Sequence, residues 1–316
     1  MWYALWSSLV VLVARGCTVD DSAGNYDPHQ RYIVTMRALV PEARSLLNVG
    51  LMNDVCDFMY SNGLFHCNTT WSDGVAGYRL TTNAIVPRVR ARIGSRYENV
   101  TYEVYADSFF EYPAGIRYSV PEGPRCGNTT GAVSDVTAYV IDDGYGSGSH
   151  ATHMGLSGAR LRYVKVREPR EDGWVSDLIA GLDRVSKLQD LPALALVPMV
   201  VDIASAAAIL VIEYVRRAMA AGVFVVSAAG NHASDACDYV PPAMDEVLTV
   251  GALSNDLTWP LSNYGECVDV WSTGTEKMYT GTAQAAGSVA SKIVPFLRRG
   301  MSRTMVAGIL RNGQKE

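Results

Sequence analysis

The chain of 316 residues has no excess of basic charge: 27 Lys and Arg stand against 32 Asp and Glu, a net charge of −5. A nucleic-acid binder more often carries a basic excess or stripe, and neither is visible, so that class is set aside. No apolar run approaches the ~20 residues that a membrane span needs. Ala204 to Val211 is followed by Glu213, Arg216 and Arg217, so it reads as a buried helix of a globular core. Gly and Pro counts of 28 and 13 are ordinary, and no fixed period is visible, which excludes collagen-like and repeat architectures. No pair among the six cysteines has C-x-x-C spacing, which argues against a zinc site.

What is present is enough apolar content, 48%, for a sizeable core, and a length that suggests two domains. Residues 1–16 are expected to be a signal peptide: Leu9 to Ala14 is apolar, and Ala14 and Gly16 fit the small-residue rule at a cleavage site. The segment lacks Lys and Arg before its apolar run; the alternative is a buried N-terminal segment. Sequons at Asn68, Asn99 and Asn128 agree with secretion. Cys56 with Cys67 and Cys237 with Cys267 are the preferred disulfide pairs. Spacing cannot fix connectivity, and Cys126 is left free or paired with Cys17.

Residues 25–110 read as a small α+β domain. Gln30 to Met36 is a strand, and Pro41 to Tyr60 carries a helix face with Leu46, Leu47, Leu51, Val55 and Met59. Gly77 to Leu80 is a strand, with room for another at Phe65 to Trp71. Ile85, Val89 and Ile93 mark a second helix, and Val100, Tyr102 and Val104 alternate as a half-buried strand. That order suits a split βαβ, ferredoxin-like sandwich. Residues 111–130 read as a linker. Over residues 131–316 the pattern becomes α/β. Apolar strands at Val136–Ile141, Arg162–Val166, Ala193–Val201, Val223–Ser227 and Val247–Val250 alternate with helices at Trp174–Leu188 and Ser205–Ala220. Ser205 is the candidate cap of the second of these. This is the signature of a parallel sheet flanked by helices, whose sites lie beyond the carboxyl ends of the strands. Asp142 and Asn231 stand at two such ends.

His150 and His153 lie one turn apart, but two histidines without a third ligand nearby are thin grounds for a metal. No calcium loop is convincing, and no metal or cofactor is expected. Five segments in order instead resemble subtilisin-like serine proteases, near the proteinase K branch. Ala138 to Gly144 is similar to the strand ending in the triad aspartate, here Asp142. Ser149-His150-Ala151-Thr152-His153 resembles the H-G-T-H motif, whose first histidine, here His150, is the general base. Phe224 to Asn231 resembles the strand delivering the oxyanion-hole asparagine, here Asn231. Tyr239 to Ala252 and Leu261 to Gly265 resemble the segments that follow. The first domain resembles the family's inhibitory propeptide, including Tyr32-Ile33-Val34-Thr35.

The resemblance implies a triad in which aspartate orients histidine, histidine takes the nucleophile's proton, and serine attacks a carbonyl. It fails at the nucleophile. The family's G-T-S-M-A stretch is Gly281-Thr282-Ala283-Gln284-Ala285 here, so Ala283 occupies the serine position, with Gln284 and Gly287 as further departures. Thr282 and Ser288 are expected to face elsewhere. Asp142 and His150 are only eight residues apart, where the family has a longer connection; eight extended residues reach ~26 Å, so the side chains can still meet. The substrate-binding S-L-G-G stretch is replaced by Val197-Pro198-Met199-Val200-Val201. The expectation is a secreted pseudoprotease that binds a polypeptide or protein ligand, with its own propeptide domain as an intramolecular partner. The alternative is an active serine-type endopeptidase using another hydroxyl.

Overall fold

The computed structural model describes residues 31–38, 41, 47–61, 65–79, 100–110, 116–117, 135–145, 150–169, 172–188, 190–276 and 279–312. The chain divides into two compact units, Met1–Ser108 and Phe109–Glu316. In the first, Tyr32, Val34 and Met36 alternate along β1 (Arg31–Ala38) and share one cluster with the apolar stripe of α1 (Val49–Ser61). Leu51, Val55 and Met59 recur every four residues on that helix, as a buried face requires. The helix starts at Val49, later than its apolar spacing suggests, because the Asn48 side chain accepts the Leu51 N–H at 3.0 Å and turns the chain there. Leu46 and the helix expected around Ile85 to Ile93 lie outside the described residues. Strands β2 (Phe65–Trp71), β3 (Gly74–Arg79) and β4 (Val100–Ala106) complete an antiparallel sheet of order β2-β3-β1-β4. A Cys56–Cys67 disulfide ties α1 to β2.

The second unit begins with two short strands, β5 (Phe109–Phe110) and β6 (Ile116–Arg117). Its centre is a sheet whose inner strands are nearly continuous apolar runs, while the edge strand Arg160–Lys165 alternates with charged residues. Its strands are β7 (Thr137–Asp142), β8 (Arg160–Lys165), β10 (Ala193–Val197), β12 (Val223–Ala228), β14 (Leu248–Ser254) and β16 (Val270–Thr273). They pair in parallel in the order β8-β7-β10-β12-β14-β16, while β15 (Leu257–Thr258) folds back antiparallel on β14. β9 (Gly173–Trp174) pairs with β5, and β11 (Val201–Asp202) with β13 (Tyr239–Val240). β18 (Tyr279–Thr280) pairs with both β17 (Thr275–Glu276) and β6.

Helices cover both faces. Ala138, Val140, Leu194, Leu196, Phe224 and Val226 project to the face that receives α4 (Thr282–Arg298), forming a hydrophobic cluster with Ala286, Val289 and Ile293. Gly287 lets α4 approach, since a Cβ there would collide with the Met154 carbonyl. On the other face, α2 (Val175–Lys187) packs Gly181 against Ile141, Val164 and Val166, and lies beside α3 (Ala208–Ala220). A final helix, α5 (Arg303–Asn312), buries Val306 in the α4 cluster. α3 begins at Ala208 rather than Ser205. The Ser205 hydroxyl accepts the Ala207 N–H at 3.3 Å and closes a turn ahead of the helix instead of capping it. The strand after Leu196 stops at Val197, before Pro198, and the chain pairs again only at Val201.

Candidate functional site

Asp142 ends β7, and the chain must return within eight residues to present His150. The neighbouring Asp143 makes this return. Its carboxylate accepts the backbone N–H of His150 at 2.7 Å and of Ala151 at 3.0 Å, anchoring a single 3-10 turn over Ala151–His153. His150 then donates from Nδ1 to Asp142 Oδ2 at 2.6 Å. The other Asp142 oxygen is held by Arg167, two residues beyond the end of β8. Nε donates to Oδ1 at 2.7 Å, and Nη2 lies 2.6 Å from the same atom. β8 runs parallel to β7 with Lys165 opposite Asp142, which brings residue 167 alongside the carboxylate.

The far side of the imidazole meets Gln284. Its Nε2 lies 3.1 Å from His150 Nε2. With Nδ1 directed at the Asp142 carboxylate, the tautomer that satisfies both contacts has Nδ1 donating and Nε2 accepting from the Gln284 amide. The Tyr279 and His150 ring centroids lie 5.2 Å apart with their planes at 87°, an edge-to-face contact. The result is one buried polar chain, Arg167–Asp142–His150–Gln284, with residue exposures of 5%, 0%, 1% and 1%.

Ala283 is fully buried in the α4 hydrophobic cluster, and the group at His150 Nε2 belongs to the next residue. Thr282 faces Asn231: its hydroxyl donates to Asn231 Oδ1 at 2.8 Å, and its N–H reaches the same oxygen at 3.0 Å. The Thr282 hydroxyl also accepts the Gly230 N–H at 3.2 Å. The Ser288 hydroxyl lies 3.5 Å from that of Ser272. Neither hydroxyl is placed at His150.

Asn231 follows Gly230, whose φ of 103° favours glycine. Asn263 shapes this loop. Its Oδ1 accepts the His232 N–H at 2.8 Å, its Nδ2 donates to the Ala229 carbonyl at 2.9 Å, and its backbone N–H donates to Gly230. Asn231 Nδ2 is buried and has no hydrogen-bond partner among the described residues. The stretch in place of S-L-G-G is closed: Val197, Met199 and Val201 are buried, and Val201 pairs with Val240. Cys237 and Cys267 form the second disulfide, with Cα atoms 5.3 Å apart. Among the described residues, no three His, Cys, Asp or Glu side chains gather as a metal site, and no helix is long and apolar enough to cross a membrane.

Spacing alone did not reveal two members of the polar chain. Arg167 follows a strand as a charged residue, the usual mark of a solvated strand end. Gln284 was visible only as a departure from a motif. Asn263, within the Leu261 to Gly265 segment, carries no sequence signal of its role in the loop.

The profile of the subtilase family matches residues 138–299, which contain the whole of this polar chain. The chain belongs to the subtilase family. This subtilase is 28% identical over 185 residues to rat proprotein convertase subtilisin/kexin type 9, an overlap of 50% of this chain and 27% of that protein. It therefore spans about a quarter of the length of that curated relative. A solved cold-adapted subtilisin-like serine proteinase superposes with a TM-score of 0.51 at 23% identity, covering 64% of this chain and 89% of the other. A protease structure from Pseudoalteromonas arctica aligns with a TM-score of 0.47 at 17% identity, covering 57% and 83%. The mostly parallel sheet flanked by helices is the subtilisin-like fold.

Proposed function

We propose that this subtilase is a secreted pseudoprotease that acts by binding a polypeptide or protein ligand without cleaving it. One observation carries the reading: the Gln284 amide, 3.1 Å away, engages the His150 nitrogen that a nucleophile's proton would reach. Acyl transfer needs a hydroxyl or thiol at that nitrogen. Gln284 supplies an amide, and Ala283 supplies a methyl. Arg167 adds a second obstacle, because its guanidinium draws on the carboxylate that would stabilise an imidazolium during proton transfer. Exposures of 1% or less at Asp142, His150 and Gln284 support a structural role for the chain of hydrogen bonds. The two disulfides support passage through an oxidising compartment.

In this reading, the first unit is a propeptide-like domain that the chain cannot remove by itself. Purified protein stays intact between the two units unless another protease cuts it.

The test pairs a fluorophosphonate probe with hydrolysis of an unfolded protein substrate. Wild type is expected to show no labelling and no hydrolysis above buffer. Ala283→Ser is expected to behave the same, because Gln284 still holds Nε2. Labelling of wild type that disappears in His150→Ala would establish the alternative, an active serine endopeptidase, and remove this proposal.

A further inference from the structure

Of the three sequons, the one at Asn68 lies within the described residues, and its surroundings single it out. Asn68 is exposed on β2. Pairing between β2 and β3 shifts register at this point: Cys67 faces Gly77 and Thr69 faces Ala76, so Asn68 is the extra residue of a bulge and leaves the ladder. Among the described residues, neither the Asn68 amide nor the Thr70 hydroxyl has a hydrogen-bond partner. The intervening Thr69 is engaged instead, accepting from Arg31 Nη2 at 2.7 Å. β2 is also an edge: in the order β2-β3-β1-β4 it pairs with β3 alone among the described strands. An unprotected edge strand invites pairing with a second chain.

We propose that Asn68 is an N-glycan acceptor and that the sugar guards the open edge of this sheet. The inference rests on the secretory reading above. The chemistry is a group transfer from a lipid-pyrophosphate-linked oligosaccharide. The Asn68 amide nitrogen bonds to the anomeric carbon, the anomeric C–O bond breaks, and the lipid pyrophosphate leaves with the electron pair. One amide proton passes to base. The attachment point already stands clear of the ladder, so a bulky substituent displaces no strand hydrogen bond.

The test translates the full chain in the presence of microsomes, with the modified asparagine located by mass spectrometry after enzymatic deglycosylation. The expected result is vesicle-protected protein modified at Asn68 in most molecules. Modification should be abolished in Asn68→Gln and Thr70→Ala and retained in Thr69→Ala. Protected protein with an unmodified Asn68 overturns the proposal and leaves the secretory reading standing. Unprotected, unmodified protein overturns both. For the edge, sedimentation of secreted Asn68→Gln and Thr70→Ala is expected to show dimers or larger species that wild type and Thr69→Ala lack. Four identical monomeric profiles would refute the guarding role.

Discussion

Arg167→Met is expected to lower the stability of the second unit by about 3–5 kcal/mol, the cost of leaving a buried charge without its counter-ion. The Arg167 and Asp142 side chains are both 0% exposed, so water cannot take the guanidinium's place without opening the sheet. The neighbouring carboxylate of Asp143, 3.8 Å from Nη2, adds a second uncompensated negative charge, although two backbone N–H groups partly satisfy it. The decisive measurement is chemical denaturation of a double-mutant cycle. Asp142→Asn removes the charge that Arg167 answers, so the double variant should lose less than the two single losses added, by about 1 kcal/mol or more. Additive losses, or an Arg167→Met loss under about 1 kcal/mol, would mean that the pair contributes little.

Removing the Cys237–Cys267 bridge by paired serine substitution is expected to cost about 3–4 kcal/mol. Its ends are 30 residues apart in sequence, and the chain-entropy relation gives roughly that figure for a loop of this size. Cys237 sits in a 3-10 turn over Ala236–Asp238, and its N–H reaches the Asp235 carboxylate at 2.9 Å. Asp235 bridges to Tyr264, three residues before Cys267. The disulfide thus reinforces the same loop junction that Asn263 organises by hydrogen bonds. Denaturation of the double serine variant without reductant measures the contribution. A loss below about 1 kcal/mol would show that the polar contacts alone hold the Asn231 loop.

The parallel sheet was legible because β7, β10 and β12 are buried on both faces and therefore read as continuous apolar runs. Both preferred cysteine pairs are joined, although spacing could not choose among connectivities. Helix starts were less legible: Ser205 has the right side chain for a cap, but uses it in a turn three residues before α3. At the site, chain length set only an upper limit on the Asp142–His150 separation. Contact depends on Asp143, whose capping of the Ala151–His153 turn has no periodic signature. Arg167 and Gln284 join the site through strand register and helix phase, which become visible only once the elements are assembled. The expected signal peptide, the 85–93 helix, Cys17 and Cys126 fall outside the described residues.

The 2.6 Å contact between His150 and Asp142 also gives this interior a spectroscopic handle. A short, charge-assisted N–H···O bond shut away from bulk water deshields its proton and slows exchange with solvent. Proton NMR of the folded protein should therefore show a persistent resonance far downfield of the amides, absent from His150→Ala. That resonance would report on the integrity of the sealed interior without any substrate.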